Sequence, residues 1–263
     1  MNARAEALAA HKRQDPLVKL YEDAWARVVA EQEKLAGDPI RTARLDRLLT
    51  MRTTIEAEMD RLDARTLRWF DAGMGIDPYL SGWMMTATPS EPVNRRAAMR
   101  LANDLFHDLL ESTNYVRRDT RRFIQEAARI AAQSTVVENT AQQAAREMVR
   151  DLIDNHGIRA IRYANGTRHT LADYADMVIR TKSGKAFNLG SLDGAPDVEW
   201  WQCFDGNCGW TAHDDINLAN WLIVTRDEAR AYPLAHPRCR RAFGPLPQIT
   251  SANQAKKAQA PKK

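Results

Sequence analysis

Ahead of Gly157, apolar residues recur every three to four positions, the rhythm of helices that bury one face. Asp15-Pro16 supplies an N-cap and a proline at the first helical position, and Leu17, Tyr21, Trp25 and Val28 follow at helical spacing towards Gly37. Asp38-Pro39 repeats the start signal ahead of Leu45, Leu48, Ile55, Met59 and Leu62. Arg52 and Thr66 interrupt that stripe, which favours packing in a bundle over an extended coiled coil. Gly73, Gly75 and Pro78 break the chain before the apolar stretch at Trp83-Met84-Met85. Ser90-Glu91-Pro92 then opens a helix carrying Ala97, Leu101, Leu105, Leu109 and Leu110. Tyr115 to Gln133 predicts another helix, and Thr140 to His156 a further one closed by Gly157.

The rhythm changes after Gly157. Ile158 to Tyr163 alternates apolar and basic residues and runs into Ala164-Asn165-Gly166, a hairpin-turn signal. Thr170 caps a helix with Leu171, Tyr174, Met177 and Val178, and beyond Asp193-Gly194-Ala195-Pro196 the short runs Val198 to Cys203 and Trp221 to Val224 predict strands. Trp200 and Trp201, adjacent in a strand, must face opposite sides. After Ile249 come four lysines, no acid and no large apolar residue, which predicts a disordered basic tail. The expected fold class is α+β: a predominantly helical domain over residues 1–157, a small mixed α+β domain over 158–248, and the tail over 249–263.

Composition narrows the classes. Hydrophobic residues make up 44% and charged residues 27%, as in globular domains, and 38 basic against 34 acidic residues leave a net charge of +4 that permits contact with nucleic acid without requiring it. The N-terminus has no apolar signal core, and no run is long and apolar enough to span a bilayer, so a soluble protein made in a cytoplasm is expected. Three cysteines do not make a disulfide framework and are read as free thiols or metal ligands.

The densest chemistry lies near the C-terminus, in Cys203-Phe-Asp205-Gly206-Asn-Cys208, then His213-Asp214-Asp215, then His236-Pro237-Arg-Cys239-Arg-Arg241. With the helix that carries Tyr174, Met177, Arg180 and Thr181, this order of motifs resembles the MuF-like minor head (head-morphogenesis) proteins of tailed bacteriophages. The likeness extends from about Ile158 to Pro247, with Arg241 standing where the family pattern has a second closing cysteine. The resemblance implies a minor capsid protein assembled into the procapsid beside the portal, in contact with portal and with major capsid or scaffolding protein. It also implies retention in the virion head after assembly in the host cytoplasm, a part in packaging, retention or ejection of double-stranded DNA, and no general catalytic activity.

Chemistry alone leaves alternatives. Cys203, Cys208, His236 and Cys239 are two close pairs of soft ligands, the set that holds a tetrahedral structural zinc; the competing reading makes the cysteines small core residues and His236 part of a turn. His213, Asp214 and Asp215 suit acid–base work, yet the sequence shows no nucleophile elbow and no His-Glu-x-x-His, and such residues commonly cap turns. The run Arg117, Arg118, Arg121 and Arg122, and the tail lysines Lys256, Lys257, Lys262 and Lys263, are candidate contacts to phosphate or an acidic partner, set against a solvated mixed-charge face. A zinc-stabilised nucleic-acid-binding protein and, behind it, a capsid-maturation hydrolase using His213, Asp214 and Asp215 are the alternative functions.

Overall fold

The fold was analysed in a computed structural model, which describes residues 2–36, 44–88, 90–134, 158, 161–162, 168–204 and 221–259. In chain order the elements are α1 (Ala3–Lys12), α2 (Asp15–Ala36), α3 (Arg44–Asp71), α4 (Asp77–Thr86), α5 (Arg95–Ser134), β1 (Ile161–Arg162) and β2 (Arg168–His169). They continue with α6 (Leu171–Gly194), β3 (Trp200–Phe204), β4 (Ile223–Thr225), α7 (Arg226–Ala231), β5 (Ala242–Pro245) and α8 (Ala252–Gln259). The fold is α+β, with helices first and a small antiparallel sheet, ordered β4-β3-β5, near the C-terminus. None of the described helices is long and apolar enough to cross a membrane. The Asp38-Pro39 start, the helix expected over Thr140 to His156 and the Asn165-Gly166 turn lie outside the described residues, although β1 and β2 pair antiparallel on either side of that turn.

The chain divides into two compact units, one made of Met1–Leu17, Arg68–His107 and Met177–Lys263, the other of Val18–Leu67 and Asp108–Asp176. This division does not follow the expected boundary at Gly157.

The second unit is built from the long helices. Tyr21 and Val28 of α2 and Leu48, Ile55, Met59 and Leu62 of α3 are buried, as their spacing predicts; Val18 is buried beside them, and Trp25 is only half-buried. Thr66, read from sequence as a break in the stripe, is fully buried and meets the Tyr21 hydroxyl at 3.2 Å. Where two helices are expected around Tyr115, α5 runs unbroken. Ser112 and Thr113, between the two expected helices, return their hydroxyls to the carbonyls of Leu109 (2.6 Å) and Leu110 (2.8 Å) and so add no competing turn. The helix also starts later than Ser90: Asn94 Oδ1 accepts the Ala97 N–H at 3.0 Å as its N-cap. Arg117, Asp60 and Asp63 form an ion-pair triad (2.7 and 2.6 Å), and Glu58, 6% exposed in its side chain, accepts from Arg27 and Arg61.

The first unit is assembled from shorter pieces. The opening helix α1 has no counterpart in the sequence reading because its buried face is Ala3, Ala7 and Ala10, which carry little hydrophobic signal; Asn2 caps it through the Ala5 N–H at 3.2 Å. Those alanines pack on Phe187 and Ala242. Helices α4 and α6 approach through glycine: a methyl group at Gly82 would stand 1.9 Å from the Phe187 carbonyl oxygen, and one at Gly190 2.0 Å from that of Tyr79. The backbones therefore touch, with no side chain between them. Across the sheet, Trp201, Cys203, Val224 and Phe243 join Leu192 and Ala229 in one core cluster. Trp200 faces the other way, as alternation requires, into a groove of about 430 Å³ walled by Ile223, Glu228, Ala252 and Ala255.

The tail expected to be disordered carries α8. Ala255 is buried, and Gln259 Oε1 accepts the outward N–H of Ile223 on edge strand β4 at 2.5 Å. Composition missed this because the helix is held by alanine contacts and one side-chain amide rather than by large apolar residues.

Candidate functional site

Helix α6 stands at the centre of the first unit's polar chemistry, and its Thr181–Gly184–Asn188 face receives the segment from Pro233 to Arg241. Thr181 Oγ1 accepts the Arg238 N–H at 3.0 Å; Asn188 Nδ2 donates to the Pro233 carbonyl at 2.7 Å and to the Arg241 carbonyl at 2.9 Å. The segment folds sharply at His236-Pro237-Arg238-Cys239, where the Cys239 N–H returns to the His236 carbonyl at 3.1 Å. Proline at the second position and a positive φ of 61° at Arg238 make this a type II turn, with arginine where glycine is the unstrained choice. A non-glycine residue in that conformation costs about 1 kcal/mol, which the Thr181 anchor and the His236 Nδ1 contact to the Pro237 oxygen (2.7 Å) help to offset. Arg241, 1% exposed, donates Nη1 to the Tyr232 carbonyl at 3.1 Å and so ties the end of α7 to the same segment.

The C-terminus of α1 also reaches α6 at Gly184. His11 is buried, and a methyl group at Gly184 would stand 3.2 Å from its Nε2. Burial first, then the positive charges of Arg180 and Arg240, lower the imidazole pKa to about 4, with Asp15 acting in the opposite sense. The ring is therefore neutral at pH 7 and a weak base. Asp15 accepts from Arg180 at 3.0 Å, and Arg13 reaches Asp77 at 2.8 Å. The fully buried side-chain amide of Gln14 and Ser183 Oγ have no hydrogen-bond partner among the described residues, an arrangement that costs roughly 1–3 kcal/mol per group. The chemistry offered here is donors and positive charge.

The sequence-marked residues are only partly brought together. Thr181, Pro237, Cys239 and Arg241 meet around α6, and Arg180 stands beside them. Tyr174 is half-buried on the first turns of the same helix, in the other compact unit. Asp205, Gly206, Cys208, His213, Asp214, Asp215, Lys262 and Lys263 lie outside the described residues. Cys203 is a fully buried thiol in the sheet core, where it pairs with Phe243 across β3 and β5; Cys239 is buried in the turn. Among the described residues no group of three or more His, Cys, Asp or Glu is placed to hold a metal ion.

The arginine run on α5 is engaged within its own unit. Arg117 is bound to Asp60 and Asp63, Arg121 to Glu56 at 3.1 Å and Arg122 to Asp119 at 3.6 Å, while Arg118 lies over the Tyr115 ring at 4.2 Å. Lys256 and Lys257 are exposed on α8. Sequence reading missed His11, Gln14 and Asn188 altogether. Their signal was faint, a lone histidine and two amides scattered along helices, and only the fold gives them neighbours.

No protein-family model, no curated protein and no solved structure matches this chain.

Proposed function

We propose that the chain is a minor head protein of a tailed bacteriophage, of the MuF-like kind, assembled into the procapsid beside the portal and acting in head morphogenesis and DNA packaging, retention or ejection. It works as a structural component and not as an enzyme. One observation carries the reading. The helix with Arg180 and Thr181 and the closing His236-Pro237-x-Cys239 element, which bear the resemblance, are fastened to each other by the Thr181–Arg238 hydrogen bond at 3.0 Å and the Asn188–Arg241 bond at 2.9 Å. Motifs distant in sequence that form one substructure are what a single recognition module requires. Portal, major capsid or scaffolding protein and packaged double-stranded DNA are the partners this role implies, and the head interior of the virion is its place.

The test is co-assembly. When portal, scaffold and capsid proteins encoded beside it are expressed together with this chain, procapsids banded on a gradient are expected to contain it and to retain it at moderate salt. Procapsids and portal rings that assemble normally and contain none of it would overturn the reading.

A further inference from the structure

Near His11, unlike on α5, several exposed cations stand without an ion pair among the described residues. Three segments meet there: the end of α1, the middle of α6 and the His236–Arg241 turn. Together they carry Lys12, Arg13, Arg180, Lys185, Arg238 and Arg240, of which Arg180 is paired with Asp15 and Arg13 with Asp77. Lys12, Lys185 and Arg240 are exposed and make no ion pair among the described residues. The α5 run is the counter-example: Arg117, Arg121 and Arg122 each have a carboxylate within the fold. The depressed pKa of His11 agrees with a positive local potential, since Arg180 and Arg240 both contribute to it.

We infer that this surface, rather than the α5 arginine run or the lysines of the tail, is where the protein holds the phosphate backbone of duplex DNA. The inference rests on the head-protein reading for the source of the duplex, and on the charge arrangement for the site. Phosphate contact needs exposed cations on a rigid support and no base-reading geometry. The turn supplies the support, because Arg238 is locked by Thr181 and Cys239 closes back on His236. Positive charge spread over three segments suits a polyanion better than a single small anion, which would draw its donors to one point.

The experiment uses the purified full chain and a random-sequence 30-base-pair duplex, followed by fluorescence anisotropy across a salt series. The triple variant Lys12→Gln, Lys185→Gln, Arg240→Gln removes exposed side chains that make no ion pair among the described residues and is expected to melt like the parent. Its affinity near 0.1 M salt should fall by about two orders of magnitude, and the slope of log K against log salt should shrink by roughly three contacts. The control Arg121→Gln, Arg122→Gln should leave affinity within about twofold. A parent protein with no salt-sensitive binding, a triple variant that binds like the parent, or a control that loses as much would each overturn the inference. Tighter binding to single-stranded RNA of equal length would overturn the duplex assignment. Co-assembly is scored separately: a triple variant that enters procapsids but does not hold DNA supports both proposals. A parent protein that binds duplex through these three residues yet never enters procapsids sinks the head-protein reading alone.

Discussion

The two compact units are held together by different means. In the unit containing α3 and the later part of α5, side chains do the joining: apolar stripes interlock, and carboxylates of α3 (Glu56, Asp60, Asp63) take arginines of α5. In the unit containing α4 and the later part of α6, backbone also meets backbone at Gly82 and Gly190, beside apolar clusters and hydrogen bonds from buried polar groups such as Asn188. Contacts made by side chains tolerate substitution, because a flexible neighbour can give way. Contacts made by main chain do not.

The sharpest way to break the contrast is to add one methyl group. Gly190→Ala should gain helix propensity, by about 1 kcal/mol, if α6 were an ordinary helix. With a carbonyl oxygen 2.0 Å from the new methyl, the helices must instead separate, and a net loss of at least about 3 kcal/mol is expected in urea or thermal unfolding. Unchanged or raised stability would show that the close approach is not a constraint.

Next in size is a pH effect confined to the same unit. The His11 pKa is about 4 when folded against 6.5 for a free imidazole, so the unfolded chain binds the extra proton first. The sign follows: above pH 6.5 the group contributes nothing, and as pH falls from 6.5 towards 4 it destabilises the fold by an amount that approaches roughly 3 kcal/mol. Unfolding free energies between pH 7 and 4.5 should decline more steeply for the parent than for His11→Gln. Parallel curves would remove His11 as the cause.

The smallest effect tests the side-chain-joined unit. Arg117→Ala leaves Asp63 partly buried without its cation, and a loss of about 2 kcal/mol is expected, discounted because Asp60 is largely exposed. Arg121→Ala, at a more exposed pair, should change stability by about 0.5 kcal/mol or less. Equal losses for the two, read by chemical denaturation, would mean that burial does not set the strength of these pairs.

The same contrast explains what was legible in the sequence. Large apolar residues at helical spacing announced α2, α3 and the register of their buried faces, and the alternation around Trp200 and Trp201 announced a strand with one face in the core. Thr170 was readable as a cap because its hydroxyl has a local partner, the Asp173 N–H at 3.0 Å. What stayed hidden is built from residues with weak patterns: the alanine face of α1, the glycine contacts of α4 with α6, and the alanine-held α8. Strand β5 was hidden as well, since Ala242-Phe243-Gly244-Pro245 is too short and too mixed to alternate. At the candidate site the motif residues Thr181, Pro237 and Arg241 could be picked out, but not that Thr181 anchors the turn, nor that a histidine far upstream completes the surroundings. The arginine run shows a different limit, because a cluster of like charges in sequence says nothing of the carboxylates brought to it by another helix.

The amide of Gln259 has a consequence beyond the groove it closes. An edge strand with a bare N–H is a template on which a neighbouring copy can add a strand of its own. By occupying the outward N–H of Ile223, Gln259 blunts that edge from within the chain. A chain shortened to end at Ile249 would keep every residue of its sheet and lose this guard, and would gain a route to edge-to-edge aggregation that the intact protein has closed.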